Sequence, residues 1–298
     1  MRDLPDHLNP PLPRQGRAGT CRTRTLEDVW QAACEASEYL MRIARTRPDF
    51  VARLTATGPD LTLKDTFETL DAFNRPDLDL ERLDLSRALR DAKLQAHAAI
   101  ALADLAGLWP LEQVTGALSD FADLALRAAL NAAAVQARNA GWIGQSQNAE
   151  TEPDDAAPAN VHNPVPGFFC LALGKHGARE LNFSSDIDIV FYFDPDRFIE
   201  GRVSAKEGVV RLTREVVRLI DARDEYGYVQ RVDLRLRPDP GSTQIAMSVA
   251  AAERYYEQLG QNWERAVLIK ARPIAGDRLA AQSFLDVLEP FIWRRHLD

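Results

Sequence analysis

Between Leu171 and Asp194 the chain reads LALGKHGARELNFSSDIDIVFYFD: an apolar run meets a Gly-Lys corner, crosses a short polar stretch and re-enters an apolar run behind Asp186-Ile-Asp188. With the two-residue period of a strand, the second run splits into two faces. Asp186, Asp188, Val190 and Tyr192 share one, and Ile187, Ile189, Phe191 and Phe193 the other. Same-face neighbours on a strand lie roughly 6–7 Å apart, so the two carboxylates can share a pair of divalent ions spaced about 3.5–4 Å. Upstream, Gly174 ends a first strand, and His176 to Leu181 is expected to form a short helix whose free amides face an anion. The expected order is strand, phosphate-facing corner, short helix, acid-bearing strand.

A third strand is expected over Tyr228 to Pro238, YVQRVDLRLRP. Val229, Arg231, Asp233, Arg235 and Arg237 fall on one face, and Gln230, Val232, Leu234 and Leu236 on the other. Beside the Asp186 strand it would bring three acids together and extend its arginines, whose planar forks suit phosphate oxygens, towards a phosphate tail. Divalent metal held there would polarise a phosphorus centre and neutralise a leaving group. Each piece has a plainer reading. A lone DxD opens many solvent-facing strands, alternating Arg and Asp is commonly a salt-bridged surface, and Gly-Lys after a strand usually marks only a turn. Their joint occurrence in this order favours the phosphate site. His176 lies near the corner but has no second His or Cys spaced for zinc, and His97, in an Ala-rich stretch, is expected to pack.

With 298 residues, 46% hydrophobic and 27% charged, the chain can fold as two domains with real cores. A net charge of -8 argues against non-specific binding to nucleic acid or anionic membranes. No apolar run approaches the roughly 18–20 residues of a membrane span, and the N-terminus lacks the apolar core of a signal peptide. Cys21, Cys34 and Cys170 show no CxxC spacing, which fits a reducing cytoplasm. Residues 1–22, rich in Pro and Arg, are expected to be a disordered arm, 23–144 an α-helical domain, 145–166 a linker or loop, and 167–298 a second domain, incomplete at its C-terminus. A helix is expected from the Thr25 cap to Pro48, with Val29, Trp30, Ala33 and Leu40 as its stripe. Further helices are expected at 49–57, 62–73, within 84–106 and 111–140, then at 204–223, 249–259 and 262–271. The fold class expected is α+β, a helical region followed by a small mixed sheet flanked by helices.

The segments GKHGARELNFSSDIDIVFYFD, RVDLRLRPDPGS, YYEQLGQNWERAVLIKARPIAGD and PFIWRRHLD closely resemble the glutamine-synthetase adenylyltransferase/adenylyl-removing enzyme family. These are bacterial nitrogen regulators of the DNA-polymerase-β-like nucleotidyltransferase superfamily. The resemblance covers Phe168 to Asp298 and, less sharply, residues 25–144, and it implies a polymerase-β-like nucleotidyltransferase domain. Family members are much longer, with two such domains flanking a regulatory middle. The N-terminal helices and the wording of RVDLRLRP and WERAVLIKAR resemble the first domain. In the family that half removes AMP from a tyrosine of glutamine synthetase by phosphorolysis, giving ADP, while the other attaches AMP from ATP.

The resemblance implies Asp186 and Asp188 as metal-binding carboxylates and Asp233 as the third acid. Gly174, Lys175 and Ser185 would line the phosphates, and Arg235, Arg237 and Lys270 would contact phosphate or nucleotide. It further implies Mg2+, ATP or ADP and inorganic phosphate as cofactor and substrates. Glutamine synthetase is the implied partner, and the PII signalling protein and glutamine the family's effectors. Lys175 follows the corner glycine, as is typical of the family, where the wider superfamily more often has Ser. His176 stands where an apolar residue is expected, and the chain is expected to lack the second catalytic domain and the regulatory middle. The same acids would also serve a non-catalytic module that binds nucleotide or synthetase, or a nucleotidyltransferase acting on another substrate.

Overall fold

Among the described residues of the computed structural model, 25–74, 84–145 and 163–293, the helices begin where local capping chemistry dictates. The expected arm, most of the expected linker and residues 294–298 lie outside the described residues. Thr25 and Asp28 exchange side-chain and backbone hydrogen bonds to start α1 (Leu26–Ala36). The single helix expected as far as Pro48 is instead broken at Ser37. The Ser37 hydroxyl accepts from the Leu40 amide and caps a separate α2 (Glu38–Thr46), a role serine fills better than a helix interior. Two more helices, α3 (Pro48–Thr57) and α4 (Pro59–Asp71), each open on proline, whose missing donor costs nothing in the first turn. The long Ala- and Leu-rich stretches form α5 (Leu85–Leu105) and α6 (Leu111–Asn139), close to the expected bounds.

The second half is a five-stranded mixed sheet with helices on both faces, so the chain is α+β. Its elements are β1 (Phe168–Ala172), α7 (Gly174–Gly177), β2 (Ile187–Phe193), α8 (Ala205–Asp221), β3 (Val232–Asp233), β4 (Ala246–Ser248), α9 (Val249–Gln258), α10 (Asn262–Leu268), β5 (Arg272–Gly276) and α11 (Arg278–Ile292). The order is β3-β2-β1-β5, with β4 also pairing with β2. The β1 pairings with β2 and β5 are antiparallel, and the β2 pairings with β3 and β4 are parallel. Phe168, Cys170, Ile187, Ile189 and Phe191 face a core shared with α5, α6 and α8. Phe169, Leu171, Val190 and Tyr192 face a second core closed by Ala252, Tyr256, Phe284 and Leu288 of α9 and α11. Both central strands are therefore buried on both sides.

Several expectations change. The short helix is a single turn starting at Gly174, not a helix from His176 to Leu181, and it stops where Arg179 enters the left-handed region at φ 62°. The third strand shrinks to Val232 and Asp233, and its alternation fails upstream as well: Val229 is fully buried instead of sharing a charged face with the arginines. The helix expected over 262–271 ends at Leu268, so that Arg272 can start β5. The strands β4 and β5 and the helix α11 were not expected. No described helix is long and apolar enough to cross a membrane.

Helix α6 packs on α8 and β5 and joins the helical region to the sheet. The joint carries a buried ionic cluster. The Asp123 carboxylate of α6 accepts from His176 Nε2 at 2.8 Å and from Arg272 Nη1 at 2.5 Å. Burial pushes this carboxyl up, but the hydrogen bonds and charges of His176 and Arg272 outweigh that and hold it below the usual carboxylate range.

An unfolded Asp titrates near about 3.9. With the folded pKa lower, the stability Asp123 contributes is complete above the unfolded value and is lost as pH falls through the folded one. Urea denaturation should show wild type more stable than Asp123→Asn at neutral pH, with the gap shrinking as pH is lowered from about 5 to below 4. A gap independent of pH would contradict the cluster. A second prediction tests the β1–β5 register, in which Gly276 (φ 86°) opposes Phe169. A Cβ on Gly276 would lie 2.2 Å from the Phe168 carbonyl oxygen. Gly276→Ala should cost about 1–3 kcal/mol in the same assay, and an unchanged midpoint would contradict the register.

Candidate active site

Parallel pairing of β2 with β3 sets Asp188 directly beside Asp233. The pairing is short and anchored from behind. Ile220, near the end of α8, accepts the amides of both Val229 and Gln230 on its carbonyl, Asp221 Oδ1 accepts that of Val232, and Ile187 donates to the Arg231 carbonyl. Asp186 stands just before β2, exposed, with Arg231 Nε at 2.5 Å. The Asp188 carboxyl is half-buried and pushed above the usual range, first by burial and then by the neighbouring charges of Asp233 and Asp186. Asp188 thus feels the charge of both other acids, a perturbation of the kind that functional sites commonly carry.

The corner closes on the same acid. Gly174 sits at φ 53°, and a Cβ there would lie 2.5 Å from Asp188 Oδ2. Only glycine combines that backbone with that proximity. The Leu173 amide donates to the Asp188 carbonyl, which fixes the corner to β2. Lys175 is exposed at the turn, and Ser185 is engaged with Asn182, its hydroxyl donating to Asn182 Oδ1 at 2.9 Å.

The arginines do not extend as one row. After Asp233 the chain turns, and Arg235 folds back on the same residue, its Nε 2.9 Å and its Nη2 2.5 Å from Asp233 Oδ2. These bonds lower the Asp233 carboxyl below its ordinary range. Arg237 donates to the carbonyls of Leu234 and Pro240 and holds its own loop. Lys270 pairs with Glu180 at 3.1 Å, behind the corner. His97 is buried between Phe121 and Phe183, and burial lowers its pKa to about 3, which fits packing. His176, too, is fully buried, with its Nε2 hydrogen-bonded to Asp123.

The donor set suits a hard divalent cation, since such ions take oxygen ligands and here three carboxylates converge. As the side chains stand, no group of His, Cys, Asp and Glu among the described residues is spaced to hold a metal. Arg231 and Arg235 instead hold two of the three acids in ion pairs. The Asp186–Arg231 pair lies in solvent, with side chains 45% and 55% exposed, whereas Asp233 is only 13% exposed beneath an Arg235 side chain that is 83% exposed. An exposed pair such as Asp186–Arg231 is worth about 0–1 kcal/mol, so a divalent ion could displace it at little cost. Sequence reasoning put Arg231 on the charged face beside Asp233 but did not pair it with Asp186, and it did not single out Asp123 or Arg272. The available signals were a charge next to the DxD partner strand, an acid on the apolar side of an Ala- and Leu-rich helix, and an arginine among apolar residues.

Comparison with known proteins places this geometry in a lineage. The glutamate-ammonia ligase adenylyltransferase family matches residues 28–287. A bifunctional glutamine synthetase adenylyltransferase/adenylyl-removing enzyme of Caulobacter vibrioides is 44% identical over 265 residues, covering 88% of this chain and 25% of the relative. The enzyme so named from Xanthobacter autotrophicus is also 44% identical, over 89% of this chain and 25% of its own length. That of Rhodopseudomonas palustris is 36% identical over 100% of this chain and 28% of its own. The chain spans about a quarter of the length of these curated relatives. It belongs to the glutamate-ammonia ligase adenylyltransferase family.

Proposed function

We propose that the chain is the adenylyl-removing nucleotidyltransferase region of such an enzyme, carrying out magnesium-dependent phosphorolysis of adenylyl-tyrosine on glutamine synthetase. The observation that carries the reading is the Asp188–Asp233 register, with Asp186 beside it and the Gly174 corner against Asp188. The choice of the adenylyl-removing half is supported by the likeness of RVDLRLRP and WERAVLIKAR to the family's first domain, and by the helices that precede the sheet.

Asp186, Asp188 and Asp233 would hold magnesium, which when bound supplies charge neutralisation at the phosphorus centre and the leaving oxygen. The remaining work falls to the chain. Gly174 lets the corner backbone stand against Asp188 where a side chain would collide, and Lys175, exposed on the same turn, would pair with phosphate oxygens. Arg231 and Arg235, released from the acids as the site fills, would be free to orient phosphate. An oxygen of inorganic phosphate forms the new bond to the AMP phosphorus, the bond to the tyrosyl oxygen breaks, and that oxygen takes up a proton as ADP leaves. Ser185, Arg237 and Lys270, now bonded within the chain, would reach a ligand only after local rearrangement. In the family, PII and glutamine are the expected effectors.

A second reading, a module that binds nucleotide or synthetase without turnover, is favoured by the Asp186–Arg231 and Asp233–Arg235 pairs, which satisfy two acids without a metal ion. Purified chain, magnesium, phosphate and adenylylated glutamine synthetase decide between the two. We expect ADP release, and its loss by at least about a hundredfold in Asp186→Asn, as for removal of a group acting in the transition state. Turnover unchanged in the variant contradicts the reading, and ADP binding without turnover in wild type supports the module. Magnesium should also raise the melting temperature of wild type by a few degrees through linkage and leave that of Asp188→Asn unmoved. Equal shifts would place the ion elsewhere.

A further inference from the structure

Helix α6 follows the whole segment behind the corner. The Ser119 hydroxyl accepts from the Leu181 amide at 3.5 Å, Asp120 pairs with Arg179 at 2.6 Å, and Asp123 accepts from His176 and Arg272. Arg272 Nη2 also donates to the His176 carbonyl at 3.1 Å, so a residue of β5 caps the α7 turn while its charge is met by α6. The Asp123 and His176 side chains are 5% and 0% exposed. Resting on the nucleotidyltransferase reading above, we propose that Asp123 is a positioning residue for the reaction: through His176 and Arg272 it sets where the Gly174-Lys175 corner stands relative to Asp188.

Three observations favour this over a role in stability alone. Buried ionic clusters contribute little net stability compared with apolar side chains of equal volume, whereas their directional bonds fix orientation. The cluster is also incompletely satisfied, since His176 Nδ1 is buried with no partner. That cost is hard to account for if the ring serves only to fill space. Finally, Arg179 holds a left-handed conformation, uncommon for a non-glycine residue, within a segment bonded to α6 on both sides, through His176 to Asp123 and through the Leu181 amide to Ser119. A corner held at this many points leaves Gly174 no freedom to drift from Asp188 Oδ2, and displacements near 1 Å at a reacting centre can cost about a hundredfold in rate.

The test uses the whole 298-residue chain and compares wild type, Asp123→Asn, His176→Ala and His176→Gln, whose amide can still donate to Asp123. ADP release should show kcat reduced about 10- to 100-fold in Asp123→Asn and His176→Ala, with KM for phosphate within about threefold, and kcat in His176→Gln within about threefold of wild type. Amide exchange across residues 173–181 should rise about tenfold in the two impaired variants, with β1 and α5 unaffected. If Asp123→Asn stays folded with wild-type kcat, or if His176→Gln and His176→Ala behave alike, the positioning role is overturned. A wild-type chain without turnover overturns the nucleotidyltransferase reading itself, and the exchange data then show separately whether the clamp exists.

Discussion

The parallel contact of Ile187 and Asp188 with Val232 and Asp233 is only two residue pairs long, yet the candidate site depends on it. Two pairs cannot hold a strand in place in water. The register is imposed from outside the ladder: the end of α8 takes up the amides entering β3, and Val229 and Val232 pack into the core beneath. A slip by one residue would put Val232 beside Asp188 and turn Asp233 away. The bonds at Ile220 and Asp221 thus convert the amphipathic packing of α8 into the proximity of two carboxylates from distant parts of the sequence.

Much of this was legible in the sequence because it is written in local chemistry. The Thr25 cap, the helical stretch expected at 204–223 and the alternation after Asp186 each specify an element without help from elsewhere. What escaped is tertiary in origin. The segment Arg272–Gly276 holds Pro and Gly and reads poorly as a strand, but β5 lies at a sheet edge, where proline is tolerated, and β1 supplies its partner. Helix α11 contains Pro290, which argues against a helix in isolation, and the burial of Phe284 and Leu288 against the second core outweighs it. The third strand was overextended for the opposite reason. Arg235 and Arg237 bond to Asp233 and to nearby carbonyls, and those local bonds bend the chain away from the ladder.

The site shows a division between what is fixed and what is left loose. The backbone framework is over-determined: Gly174 against Asp188, the α7 turn capped by Arg272, and α6 bonded along residues 176–181. The acids are held unequally: Asp186 by an exposed pair with Arg231, Asp233 by several hydrogen bonds from Arg235, and Asp188 with its carboxyl raised by burial and its neighbours' charge. A rigid frame around mutually repelling carboxylates stores unfavourable charge that a divalent ion would relieve, and this is the physical content of the proposal that the site is built for a cation. The helical region takes part in that frame through α6, so the corner and the helices behind it form one mechanical unit.

Paramagnetic broadening by Mn2+ as a magnesium substitute reads the central claim directly, because it reports distance from the ion without requiring turnover. In the isotope-labelled chain, the account predicts that the amide resonances of Gly174, Asp188 and Asp233 broaden together at the first additions, while that of Phe284 on the far side of the second core stays sharp. Broadening confined to other acidic surfaces, with Gly174 and Asp233 unaffected, would contradict it.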